Sequence, residues 1–171
     1  MNYFSLFNLP ETLTLDTQAL ASSYQTLQKL THPDKFATAS AQERRIAMQK
    51  NAQVNDGYSV LKHPLTRAQH LLSLRGLTID NEQHTLGDPE FLMQQMEWRE
   101  TLEEIGSDEN ALEQMQDDIQ ALIRDKLTAL DAMFEEDSSD NEDIANEIRK
   151  LTFIYKFSAQ VEAQLDKLDD F

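Results

Sequence analysis

The chain has 171 residues, 15 Lys/Arg against 31 Asp/Glu, a net charge of −16 and no cysteine. At roughly 100–200 residues per domain, that length suits one domain or two small ones. Without cysteine there is no disulfide framework, thiolate metal site or cysteine nucleophile, and the acidity argues against nucleic acid and anionic membrane as partners, since both require clustered positive charge.

The N-terminus, MNYFSLFNLPETL, has no Lys or Arg and only a short, Asn-broken apolar run. It resembles neither a signal peptide nor a membrane span, so a soluble cytoplasmic protein is the default expectation. After this N-terminal turn, Asp16 is placed to cap a helix that carries Leu20, Tyr24, Leu27 and Thr31 on one face. The pattern stops at His32-Pro33-Asp34, because the residue before proline is driven out of the helical region and Asp favours turns. Ser40-Ala41-Gln42-Glu43 has the form of a capping box and opens a second helix with Ala47, Val54, Tyr58 and Leu61 at helical spacing. These two helices are expected to pack antiparallel across the His-Pro-Asp loop. Gly57 falls mid-helix, where it costs about 1 kcal/mol relative to Ala unless close packing requires it. Pro64 suits the first turn of a third helix, with Leu65, Ala68, Leu71 and Leu72, ending near Gly76.

Residues 76–87 have two glycines and little periodicity and read as a linker. Asp88-Pro89-Glu90 then combines a cap, a first-position proline and an acid at the positive end of the helix dipole. Three helices are predicted, over 89–105, 108–135 and 140–169, the last opened by a second capping box at Ser139–Glu142. The middle one carries Leu112, Met115, Ile119, Leu122, Ile123, Leu127, Leu130 and Phe134, and the last Ile144, Ile148, Leu151, Tyr155, Val161 and Leu165. Each can bury a stripe in a three-helix bundle. The charge divides at the same place: through Arg75 eight Lys/Arg face five Asp/Glu (+3), and from Gly76 onward seven face twenty-six (−19). An all-α protein of two differently charged modules is expected, residues 1–75 and 88–171.

The remaining histidines read as structural: His63 precedes Pro64 in a turn, His70 lies on a helix face and His84 in the linker. None stands at a helical metal-ligand spacing with carboxylates, so no metal site is expected. The chain contains no Ser-His-Asp order, P-loop or Gly-rich phosphate fingerprint, and no catalytic activity or cofactor is expected of it.

The stretch LTHPDKFA lies between two helices, is preceded by YFSLFNLP and is followed by VNDGYSVLKHPLTRA. This arrangement resembles a J-domain, the module through which co-chaperones stimulate ATP hydrolysis by DnaK-type chaperones. With the acidic helical part that opens DPEFLMQQMEWRETLEEI, the whole chain resembles the HscB family of iron-sulfur cluster assembly. The resemblance implies two partners, the chaperone HscA for the J-domain and the cluster scaffold IscU for the C-terminal helices. It assigns chaperone binding to His32, Pro33 and Asp34, with Lys29 and Lys35 supplying local positive charge. Pro33 would stiffen the loop, His32 fix it by a hydrogen bond, and Asp34 accept a bidentate pair from a chaperone arginine. Thr31 stands where many J-domains have Tyr, and the preceding helix is less basic than usual, which implies modest or selective chaperone affinity.

On the first C-terminal helix Phe91, Trp98, Leu102 and Ile105 form a narrow stripe, as a core requires. Leu92, Met93 and Met96 fall off it, on a side that continues with Glu97, Glu100, Glu103 and Glu104, and Phe153 of the last helix points away from its own stripe. Periodicity alone leaves two readings open, a broader buried face or a partner surface. The resemblance implies the second, with Leu92, Met93, Met96, Glu97, Glu100, Glu104 and Phe153 on the scaffold-binding surface. Rival readings are a J-domain co-chaperone for a different client and an iron-binding carrier or carboxylate-metal enzyme using Glu100, Glu103 and Glu104, which lacks the paired Glu-x-x-His motifs of such sites.

Overall fold

Side chains at the helix starts satisfy the backbone amides that have no partner in the first turn, and this decides where each helix begins. In the computed structural model, which describes residues 1–79 and 87–170, the order is α1 (Tyr3–Leu6), α2 (Thr17–Thr31), a 3-10 turn (Pro33–Phe36), α3 (Ala41–Leu61), α4 (Pro64–Leu74), α5 (Pro89–Ile105), α6 (Glu109–Glu135) and α7 (Asn141–Asp169). The chain divides into two compact units, Met1–Thr78 and Ile79–Phe171. Of the expected linker, residues 80–86, His84 among them, lie outside the described residues.

In the first unit the carboxylate of Asp16 accepts from the amides of Gln18 and Ala19 at 3.0 and 3.1 Å, and Ser40 Oγ from that of Glu43 at 3.2 Å. Helices α2 and α3 form an antiparallel hairpin that buries Leu20, Ala47, Val54 and Leu61, with Ala68, Leu71 and Leu72 of α4 completing the core. The N-terminus departs from its expected turn. Residues 3–6 are a helical turn, and Phe4, Phe7 and Leu13 are 0%, 1% and 3% exposed, within the range of the hairpin's own core. Gly57 makes room for them: a β-carbon there would lie 2.7 Å from Tyr3 Cδ1 and 3.0 Å from Phe7 Cε2. The propensity cost of a mid-helix glycine, about 1 kcal/mol, is outweighed by burying aromatic rings worth about 1.5–3 kcal/mol each.

Two polar groups tie this N-terminal segment down. Arg67, 5% exposed, donates from Nε to the Leu61 carbonyl (2.8 Å) and from Nη1 to the Leu13 carbonyl (2.6 Å), joining α3, α4 and the segment before α2. His70 Nε2 accepts from the Tyr3 amide at 3.1 Å while its ring stacks against Phe4, with centroids 5.7 Å apart. That bond requires a lone pair on Nε2. Burial first, and then the N-terminal ammonium, hold the His70 pKa below its ordinary value, with Glu11 opposing. His63, the N-cap of α4, accepts from the Leu65 amide at 3.1 Å and is lowered by burial and then by Arg67.

In the second unit α6 and α7 form the long hairpin and α5 lies against it, giving the three-helix bundle. Helix α7 buries a wider stripe than expected: besides Ile144, Ile148, Leu151 and Val161 it buries Ala145, Ile154, Phe157 and Ser158, and Tyr155 and Leu165 are only half-buried. The reason is that α7 meets helices on two sides. Toward α5, Phe157 stacks on Trp98 (5.6 Å, 22°) and Phe153 meets Phe91 at 6.3 Å. Toward α6, Gln120 Nε2 donates to Ser158 Oγ (2.9 Å), Ser158 Oγ donates to Gln116 Oε1 (3.0 Å), and Gln116 Nε2 donates to the Ser158 carbonyl (3.2 Å). Helix α7 is capped by Asp140, which accepts from the Glu142 amide at 2.7 Å, and not by the expected Ser139. The aspartate reaches its amide from one residue later, so the helix starts at Asn141. Asp88 caps α5 through the Phe91 amide (3.1 Å) and pairs with Lys150 of α7 (3.1 Å). These contacts, the amide first, hold the Asp88 carboxyl below its usual range, and Asp88 in turn raises Lys150.

Two outcomes follow from the first unit. Gly57→Ala gains helix propensity of about 1 kcal/mol but forces the Tyr3 and Phe7 rings outward at a cost of about 1–3 kcal/mol, so a net loss of up to about 2 kcal/mol is expected in urea denaturation. The histidines make the same unit sensitive to acid. Because both folded pKa values are lowered, their contribution is fully present above the ordinary value of 6.5 and is lost as pH falls below it, the unfolded chain taking up protons first. Urea midpoints should therefore drop between about pH 7 and pH 5.5, and the variant His63→Gln/His70→Gln, which keeps an acceptor at each position, should flatten that slope.

Candidate functional site

The His32-Pro33-Asp34 loop is built by its own backbone. His32 (φ −62°, ψ 133°) is extended, as the residue before proline must be, and ends α2. Its ring, half exposed, then caps the 3-10 turn, Nδ1 accepting from the Asp34 amide at 3.2 Å. In that bond Nδ1 carries a lone pair, so the proton of the neutral imidazole sits on Nε2. The Asp34 carboxylate lies 3.6 Å from Nδ1 and is 92% exposed, so its acceptor oxygens are open to a partner. Pro33, Lys29 and Lys35 are exposed as well, Lys29 in the last turn of α2 and Lys35 in the 3-10 turn.

Behind the loop, a run of hydrogen bonds joins α2 to α3. Tyr24 Oη donates to Asn55 Oδ1 (2.6 Å), Asn55 Nδ2 to Asn51 Oδ1 (3.1 Å), Asn51 Nδ2 to Thr31 Oγ1 (3.3 Å), and Thr31 Oγ1 to the Leu27 carbonyl (2.8 Å). Tyr24 also stacks on Tyr58 at 4.1 Å. Thr31, the last residue of α2, is thus held to the facing helix immediately before the loop, so the loop's orientation is set by the hairpin. Beside it lies a largely apolar groove of about 540 Å³ between α2 and α3, lined in part by Leu27, Leu30, Phe36, Ile46 and Lys50. Leu30 and Ile46 are 57% and 45% exposed. Leu30 and Ile46 lie off the core stripes of their helices, the same kind of signal that singled out Leu92 and Phe153, and this was the clue to the groove in the sequence.

In the second unit, Phe91 and Leu102 of α5 are buried, with Trp98 and Ile105 half-buried. Leu92, Met93 and Met96 are 57%, 62% and 54% exposed, and Phe153 of α7 is 40% exposed. Packing brings Phe153 to α5, its ring meeting that of Phe91, the neighbour of Leu92. Glu97, Glu100, Glu103 and Glu104 are exposed on α5. Among the described residues no group of three or more His, Asp or Glu is disposed to hold a metal ion, and no helix is long and apolar enough to cross a membrane.

Residues 87–162 match the family model described as the HSCB C-terminal oligomerisation domain. Over its full length the chain is 53% identical to the co-chaperone protein HscB homolog of Pseudoalteromonas atlantica, covering 100% of both. The chain belongs to the HscB co-chaperone family. Among HscB structures, that of the chaperone HscB from Vibrio cholerae superposes with a TM-score of 0.88 at 43% identity, covering 98% of this chain and 99% of that one. Human co-chaperone protein HscB gives 0.87 at 30% identity, covering 95% and 81%. The first unit is accordingly the J-domain of an HscB-type chain and the second its C-terminal helical domain.

Proposed function

We propose that this protein is the cytoplasmic adaptor that stimulates ATP hydrolysis by the DnaK-type chaperone HscA and brings it the iron-sulfur scaffold IscU. It catalyses no reaction itself and needs no cofactor. The observation that carries the first half is the state of Asp34: its amide is committed to His32, its carboxylate is almost fully exposed, and an arginine of the chaperone can engage both oxygens. Lys29 and Lys35 flank it with positive charge suited to an acidic chaperone surface. The second half is supported by the four exposed apolar side chains Leu92, Met93, Met96 and Phe153 beside Glu97, Glu100 and Glu104. Thioethers adapt to an irregular partner, and rim carboxylates select for basic groups on it. Holding the two partners on one chain raises the local concentration of each for the other, and this is the adaptor's contribution to client transfer.

The loop is tested by Asp34→Asn, which keeps the cap amide and removes the charge. Single-turnover ATPase assays with HscA should lose stimulation while circular dichroism stays unchanged, and undiminished stimulation would refute the assignment. The scaffold surface is tested by Leu92→Ala, Met96→Ala and Phe153→Ala, each expected to weaken IscU binding by roughly 1–3 kcal/mol in calorimetry with little change in melting temperature. Retained binding with a melting temperature lowered by several degrees would mean instead that the patch serves the core.

A further inference from the structure

Next to the apolar patch, between α5 and α7, lies a small cleft of about 230 Å³ whose lining includes Gln95, Trp98, Arg99, Phe153, Lys156 and Phe157. Its chemistry is opposite to that of its surroundings. The chain from Gly76 onward carries a net charge of −19, and Arg99 stands in sequence among Glu97, Glu100, Glu103 and Glu104. Even so, among the described residues neither Arg99 nor Lys156 has a carboxylate within ion-pair distance. Lys156 Nζ sits 5.8 Å from the centre of the Phe153 ring, so it is held at the cleft by an aromatic face and not by an anion. Gln95 also lines the cleft, and its Nε2 is buried with no acceptor, so a turn of this side chain toward the cleft would make it a third donor and relieve a costly arrangement.

Charged donors and an unsatisfied amide around an aromatic floor, with Trp98 stacked on Phe157, describe a receptor for a carboxylate. Its two oxygens accept up to four hydrogen bonds, the exposed cations Arg99 and Lys156 meet it at the rim, and the Trp98 and Phe157 rings give the cleft an apolar floor. The volume fits one acidic side chain and is below that of pockets for drug-sized ligands, about 300–1,000 Å³. A polyanion is disfavoured by the surrounding acids, whereas a single carboxylate arrives on a protein already docked. Phe153 belongs both to the exposed patch and to the cleft, which makes the two continuous.

We infer that the cleft formed by Gln95, Arg99 and Lys156 receives an Asp or Glu side chain of the scaffold that docks on Leu92, Met96 and Phe153. This rests on the scaffold-binding reading above and adds to it a recognition element of opposite sign to Glu97, Glu100 and Glu104. The surface would then read a basic and an acidic group on the same partner, which discriminates better against wrong partners than either alone.

Calorimetric titration of the full chain with purified IscU tests the inference. Arg99→Glu/Lys156→Glu should weaken binding tenfold or more, and Gln95→Glu, isosteric but anionic, several-fold. Arg124→Glu/Lys167→Glu, which makes the same change in net charge away from the cleft, should stay within about twofold. If a charge reversal lowers the melting temperature, the neutral pair Arg99→Gln/Lys156→Gln takes its place, with a loss of several-fold expected. Replacing the responsible IscU acid by Lys should restore affinity toward the reversed variant. Cleft variants that bind within twofold of the parent, or no worse than the control pair, overturn the inference. If Met96→Ala and Phe153→Ala still weaken binding in that case, the scaffold-binding reading stands without the cleft, and if they do not, both fall together.

Discussion

The ring of Pro33 disfavours helical conformation in the residue before it, and on this steric restriction the hairpin of the first unit depends. Forced into an extended conformation, His32 closes α2, and the chain must reverse direction before Ser40 can start α3. The reversal brings two amphipathic helices face to face, and it leaves three residues with no place in the core. An exposed carboxylate on a stiff, capped loop is therefore a by-product of how the hairpin is made. The run of hydrogen bonds from Tyr24 to Thr31 sets the aim of that loop by joining the end of α2 to the facing helix.

The second unit has the opposite character. No glycine or proline follows Gly106, so nothing interrupts α6 or α7, and their length has to be justified by what they bury. Apolar contact supplies the energy: Leu112, Leu130, Ile144, Ile148, Leu151 and Ile154 are almost fully buried, each worth about 1.5–3 kcal/mol, against about 0–1 kcal/mol for a surface ion pair. The acids that dominate the composition are left mostly to the surface, where they keep the net charge far from zero.

Much of this was legible in the sequence because helical period, caps and prolines are local signals. Asp16, Ser40, Pro64 and Asp88 stand where they were expected to start helices, and Gly57 stands where a close approach was the only good reason for it. What could not be read was long-range. The rings that fill the space over Gly57 come from residues 3 and 7, some fifty positions away, so the N-terminus looked like a turn. Helix α7 buries residues on two sides because α5 covers one of them, which moved Ile154 and Phe157 inside and left Tyr155 at the margin. At the surface, the stripe argument separates Leu92, Met93, Met96 and Phe153 from the core residues, but it carries no information about which helices enclose a groove. The spaces beside Leu30 and Ile46, and beside Arg99 and Lys156, exist only once two helices are docked.

Ser158 and its two glutamine partners bear on how such a surface can change over evolutionary time. Two plain apolar stripes are compatible with sliding by a turn, and a long hairpin held by leucines and isoleucines alone would have several near-equivalent alignments. A slide here would strand Gln116, Gln120 and Ser158 without partners in a half-buried seam, so a single alignment is preferred. That insulates the outside from the inside. Residues on the outer faces of α5 and α7 can be exchanged one at a time without the frame beneath shifting to a neighbouring alignment.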